Sequence, residues 1–119
     1  MNEECRVLVV DDDTDTREAL TEALTGAGFL VEQARGGHEA LLQIGAKGPP
    51  DVILLDLFMP EMNGEELLEK LRGCKSRVIV LTGDSSTRLL SFANEAKLLR
   101  KPVGLDELEA AVKEACAAA

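Results

Sequence analysis

Val52-Ile53-Leu54-Leu55-Asp56 sets four large apolar residues in a row and closes on a carboxylate. A strand with one wet face alternates apolar and polar residues, whereas an unbroken apolar run of strand length suits a parallel strand covered on both faces. Two more stretches read the same way. Val7-Leu8-Val9-Val10 runs into Asp11-Asp12-Asp13, and Val78-Ile79-Val80-Leu81 runs into Thr82. Further strands are predicted at Phe29–Gln33 and at Lys97–Arg100, the latter followed by Lys101.

Working outward, the segments between these runs carry apolar residues at helical spacing. The stripes are Ala19, Leu20, Ala23, Leu24 and Ala27; Leu67, Leu68 and Leu71; Leu89, Phe92, Ala93 and Ala96; and Leu108, Ala111, Val112 and Ala115. Breakers fall at the joints: Gly26 and Gly28, Gly48-Pro49-Pro50, and Gly73. Five strands alternating with five helices, joined by right-handed crossovers, predict an α/β fold with a doubly wound five-stranded parallel sheet. With no internal repeat or linker in 119 residues, one domain over 1–119 is expected.

Composition narrows the function classes. A hydrophobic fraction of 45% excludes a disordered acidic tail, and no apolar run reaches the roughly 20 residues of a membrane helix, so no membrane partner is expected. The chain enters its first strand without the basic and apolar regions of a secretory signal, so a cytoplasmic location is expected. Thirteen basic against 22 acidic residues give a net charge of -9, which repels phosphate backbones. Direct nucleic-acid binding is therefore not expected. Cys5, Cys74 and Cys116 are odd in number and widely spaced, which predicts reduced, bystander thiols.

In doubly wound sheets, ligands bind beyond the carboxyl ends of the strands, where the winding reverses. Asp11, Asp12, Asp56, Thr82 and Lys101 all fall at such ends. If the first and third strands are neighbours, Asp11, Asp12 and Asp56 meet in one crevice, and their mutual repulsion calls for a proton or a cation. Magnesium suits hard oxygen donors and also prepares a site for phosphate by neutralising the pocket. Lys101 can balance a phosphoryl oxygen, the Thr82 hydroxyl can donate to another, and Gly83 leaves the backbone free to approach.

Together these residues resemble the receiver domains of two-component response regulators. The resemblance rests on four motifs in order: Val7 to Asp13, Asp56-Leu57-Phe58-Met59-Pro60-Glu61-Met62-Asn63-Gly64, Val80-Leu81-Thr82-Gly83, and Arg100-Lys101-Pro102. It implies the flavodoxin-like strand order 2-1-3-4-5, a magnesium (or manganese) ion, and phosphoryl transfer from a phosphohistidine to Asp56. Carried over by position, Asp12 contacts the metal directly and Asp11 largely through water. Asp56 is ligand and nucleophile, and the Phe58 carbonyl is a further ligand. Thr82 and Lys101 hold the phosphoryl group, Phe58 and Asp84 tune its hydrolysis, and Lys101-Pro102 matches a cis peptide. The implied partners are a sensor histidine kinase or a histidine phosphotransfer domain, docking near the first helix, and an output protein or domain not yet known. Signalling would use the face formed by the fourth helix, fifth strand and fifth helix, where Leu98 and Val103 belong. Leu98 stands where the family usually has an aromatic switch residue. Such a chain catalyses only its own phosphorylation and dephosphorylation, either alone or as one domain of a larger regulator or hybrid kinase.

The same residues admit other readings. Asp13 and Asp15 suit a helix cap better than a metal site. The Asp11 to Glu22 stretch resembles a calcium loop, but Thr16 stands where that loop needs Gly. His38 has no paired catalytic motif and reads as a surface residue. A haloacid-dehalogenase-type phosphatase requires Asp-x-Asp-x-Thr or Val, and neither window starting at Asp11 or Asp13 ends that way. The alternative is a pseudo-receiver that docks partners without phosphorylation; the complete set of pocket residues argues against it, and Leu98 keeps it open.

Overall fold

The structure is a computed structural model that describes residues 5–56, 67, 69–71, 74–82, 96–100 and 103–118. Five parallel strands form one sheet in the order β2-β1-β3-β4-β5: β1 Arg6–Val10, β2 Leu30–Ala34, β3 Val52–Asp56, β4 Arg77–Thr82 and β5 Ala96–Arg100. Helices α1 (Thr14–Gly26) and α2 (Gly37–Lys47) follow β1 and β2, and a C-terminal helix spans Leu105–Ala118. The doubly wound parallel sheet is the one expected from the unbroken apolar runs, and its strand order is the one the receiver-domain resemblance implies.

Strand alternation divides the interior into two half-cores. On one face Leu8, Val10, Ile53, Leu55, Val78 and Val80 pack with Ala40 of α2, Leu67 and Leu71. On the other, Val7, Val9, Val52, Leu54, Ile79 and Leu81 pack with Leu24 of α1 and with Leu108, Ala111 and Val112 of the C-terminal helix. Residues 52–55 are buried throughout, which is why this strand carries no polar residue before Asp56.

Local chemistry sets the ends of α1. The Asp13 carboxylate accepts the Thr16 N–H at 3.0 Å and so caps the N-terminus. At the other end Gly28 takes φ 99°, a conformation costly for any residue with a Cβ. The Gly28 N–H donates to Thr25 O at 3.0 Å and the Phe29 N–H to Leu24 O at 3.2 Å, a Schellman closure that turns the chain into β2. Phe29 and Leu24 share the same half-core, which anchors that turn.

The sheet's outer strand β2 carries a small ion cluster in which Glu32 meets both Lys47 and Arg6. The hydrogen bond from Lys47 is the main cause that holds the Glu32 carboxyl below its ordinary value of 4.5, with Arg6 adding to it. A carboxyl depressed by folding stabilises the fold above its unfolded pKa, and that contribution is lost as pH falls through the folded value. These side chains are solvent-accessible, so the contribution is a few tenths of a kcal/mol. In urea unfolding, the stability difference between wild type and Glu32→Gln should be full-sized near neutral pH and shrink as pH falls below 4.5.

Several expectations are corrected. Cys5 and Cys116 are joined in a disulfide, not held as separate thiols; Cys74 alone is free. The cause is topological: the C-terminal helix returns to the foot of β1, bringing Cα atoms 111 residues apart to 6.0 Å, within bridging range. Ala19 is exposed, and Arg17 occupies the buried position at that end of the α1 stripe. Ala96 belongs to β5, where it pairs with Val78, so pairing overrode its helical spacing. Strand β2 starts one residue late, at Leu30, because Phe29 closes the α1 turn. Leu68, Gly73 and the Leu89, Phe92 and Ala93 stripe lie outside the described residues.

Candidate functional site

Parallel pairing of β1 with β3 puts Val10 opposite Leu55, so Asp11 and Asp56 come next on adjacent strands. Both residues follow the parity of Val9 and Leu54, so their side chains leave the sheet on the same side. Carboxylate oxygens of Asp11, Asp12 and Asp56 all lie within 4.8 Å of one another. Asp11 is 1% exposed and Asp56 8%, while Asp12 is open to solvent. Two buried carboxylates and a solvent-facing third therefore define a mouth at the carboxyl edge of the sheet.

Asp11 is fixed from several directions. Its N–H extends the β1–β2 ladder to Ala34 O at 3.1 Å, and its Oδ1 accepts the Asp13 N–H at 2.9 Å. Its carbonyl accepts from the Arg17 guanidinium at 3.0 Å, while Arg17 Nε donates to Gln33 Oε1 at 3.0 Å. Arg17 thus ties the loop after β1 to α1 and β2. A charged residue on a helix ordinarily faces water, so Arg17 does not stand out in the sequence; its place one turn before Leu20 and two before Leu24 is the signal that marks it. Arg17→Met keeps the stem's apolar volume but removes both bonds, and should lower unfolding stability by about 2 kcal/mol in urea titration.

The other site residues are distributed as follows. In the β3–β4 register Asp56 pairs with Leu81, and Thr82 is the next residue along β4. Thr82 in turn pairs with Arg100, the residue before Lys101. The Thr82 side chain, together with Phe58, Gly83, Asp84, Lys101 and the Lys101-Pro102 peptide, lies outside the described residues. Leu98 is half-buried against the half-core that contains Val80, its partner in β4. Val103 packs on the opposite half-core. His38 is exposed in the first turn of α2.

The donor set fits a small divalent cation. It consists of hard carboxylate oxygens, and two ligands on opposite sides of magnesium lie about 4.2 Å apart, given metal–oxygen distances of about 2.1 Å. A spread of 4.8 Å closes to that with modest side-chain rotation, which exposed Asp12 can supply. Among the described residues no helix is long and apolar enough to cross a membrane.

A parallel sheet wound in the order 2-1-3-4-5 with acidic groups at the reversal point defines a flavodoxin-like α/β domain with a candidate cation site. Residues 7–113 match the response regulator receiver domain family, and the chain belongs to that family. It is 40% identical over 113 residues to the response regulator MprA of Mycobacterium tuberculosis, covering 91% of this chain and 49% of that protein. It is 41% identical over 121 residues to the transcriptional regulatory protein KdpE of the same organism, covering 95% of this chain and 53% of that one. The chain therefore spans about half the length of these relatives. Among solved structures, the receiver domain of the Francisella response regulator 1452 superposes with a TM-score of 0.88 at 30% identity, over 97% of this chain and 98% of that one. The Vibrio cholerae chemotaxis protein CheY4 gives 0.83 at 27%, over 93% and 98%. The chain is a receiver domain of two-component signalling.

Proposed function

We propose that Asp56 is the phosphoryl acceptor of this receiver, with Asp11, Asp12 and the Phe58 carbonyl completing a magnesium or manganese site. The observation that carries this reading is the approach of the Asp11, Asp12 and Asp56 carboxylates to within 4.8 Å at the mouth of the sheet. When bound, the divalent ion offsets the negative charge of the crevice and so admits an anionic phosphoryl donor. Asp56 attacks phosphorus through a carboxylate oxygen. The phosphorus–nitrogen bond to the donor imidazole breaks, and its electron pair returns to that nitrogen. Lys101 balances the charge of the transferred group, the Thr82 hydroxyl donates to it, and the backbone at Gly83 approaches closely. Arg17 holds the Asp11 backbone while charge accumulates nearby.

The donor is a sensor histidine kinase or a histidine phosphotransfer domain docking near α1. Phe58, two residues after the acceptor, and Asp84, two after Thr82, set how fast water hydrolyses the new bond. The response then passes to an output protein or domain through the face built on the fourth helix, β5 and the C-terminal helix. Leu98 stands at the switch position; its aliphatic side chain repacks against the sheet without a ring to rotate. Residues 1–119 form one receiver domain that acts in the cytoplasm, alone or within a larger regulator or hybrid kinase, catalyses no reaction beyond its own phosphorylation and dephosphorylation, and makes no direct contact with nucleic acid.

The test is intact-mass analysis after incubation with acetyl phosphate and magnesium. One adduct of about 80 daltons is expected, the mass of one phosphoryl group, and excess chelator should abolish it. An unchanged mass under conditions that label another receiver would overturn the reading and favour docking without phosphorylation.

A further inference from the structure

The disulfide lies at the end of the molecule opposite the acidic crevice. Cys5 precedes β1, and the six steps along the chain from Cys5 to Asp11 cover about 20 Å at roughly 3.3 Å per residue. At this foot of the sheet the last turn of the C-terminal helix is held in two ways. Arg77, the first residue of β4, donates from its guanidinium to Ala118 O at 3.2 Å, and Cys116 is bonded to Cys5. Cys5 is only 5% exposed and its carbonyl accepts the Leu30 N–H at 3.0 Å, so it extends the β1–β2 ladder. Cys116 is half-buried on the helix, with a path to solvent. The third thiol cannot compete, since Cys74 packs against the other half-core, across the sheet.

We infer that Cys5 and Cys116 are a reversible redox modification site, a thiol pair that staples the end of the C-terminal helix to the foot of β1 when oxidised. In a compartment held reducing by small thiols the pair stands as two thiols and closes when the disulfide oxidant rises. The more accessible Cys116 thiolate attacks a low-molecular-weight disulfide such as oxidised glutathione, releasing one glutathione thiolate and leaving a mixed disulfide. The Cys5 thiolate then attacks the Cys116 sulfur and displaces the second glutathione. Two protein thiols are thereby oxidised by two electrons, and one glutathione disulfide is reduced to two thiols. The oxidised pair closes a 111-residue separation, so it restricts the unfolded chain strongly and limits fraying of the helix end. Because the acidic crevice is remote, the staple supplies an input separate from phosphorylation.

The experiment treats the full chain with oxidised glutathione or with a reductant, unfolds it without reductant in excess maleimide, and counts adducts by intact mass. The expected counts are one after oxidation, at Cys74, and three after reduction. Oxidation should also raise the melting temperature by on the order of 10 °C, reversed by reductant. Cys5→Ser and the more accessible Cys116→Ser should each abolish that rise while labelling by acetyl phosphate is unchanged. Three adducts after oxidation, a crosslink through Cys74 or between two chains, or a melting temperature indifferent to oxidation would each overturn the inference.

Discussion

Asp56→Asn should abolish the phosphoryl adduct while leaving the protein folded. An amide at this position has the shape of the carboxylate but neither its charge nor its nucleophilic oxygen, so chemistry is lost and packing is kept. The stability readout distinguishes this from a folding defect. With carboxylates held within 4.8 Å of each other, removing one negative charge relieves repulsion. In metal-free buffer the variant should therefore keep a single cooperative thermal transition. Magnesium should stabilise wild type more than the variant, since ligand binding to the native state raises apparent stability in proportion to affinity. An adduct that persists at full yield on Asp56→Asn would move the acceptor elsewhere.

The second large effect is expected at Leu54→Ala. Leu54 is 1% exposed in the central strand, packed in the half-core shared by α1 and the C-terminal helix. Truncation removes a buried side chain and leaves a cavity that sheet neighbours on both sides prevent from collapsing, at a cost of about 3–4 kcal/mol. That is a large share of the stability of a domain this size, and the melting temperature should fall by more than about 10 °C in a thermal scan. Leu42→Ala, on the exposed side of α2, is the matching control and should change stability by less than about 0.5 kcal/mol. Equal losses at the two positions would contradict the two-layer packing.

The fold was legible because its central strands are chemically plain. Residues 7–10, 52–55 and 78–81 have no polar face to offer, so only a sheet covered on both sides accommodates them, and Asp11 and Asp56 then follow as the first residues past that cover. Features that depend on long-range return of the chain were not legible. The Cys5–Cys116 pairing is set by where the C-terminal helix ends relative to β1, which spacing of cysteines does not encode. Arg17 was hidden for a different reason: its burial is made tolerable by a carbonyl and an amide from two other elements, Asp11 and Gln33. Ala96 shows the ambiguity of small residues, which satisfy either period until a partner such as Val78 decides.

The strand order also has a temporal consequence. Among the described residues β1 is the earliest strand, yet it takes an interior place, paired on one edge by β2 and on the other by β3, whose first residue lies 42 positions beyond the last of β1. A nascent chain that has made only β1, α1 and β2 leaves one edge of β1 without its ladder. Docking of β3 must therefore pay the loop-closure entropy of that separation before its contacts are realised, the kind of non-local step that slows folding. The same step delivers Asp56 beside Asp11, so the acidic crevice is assembled only when the centre of the sheet is complete.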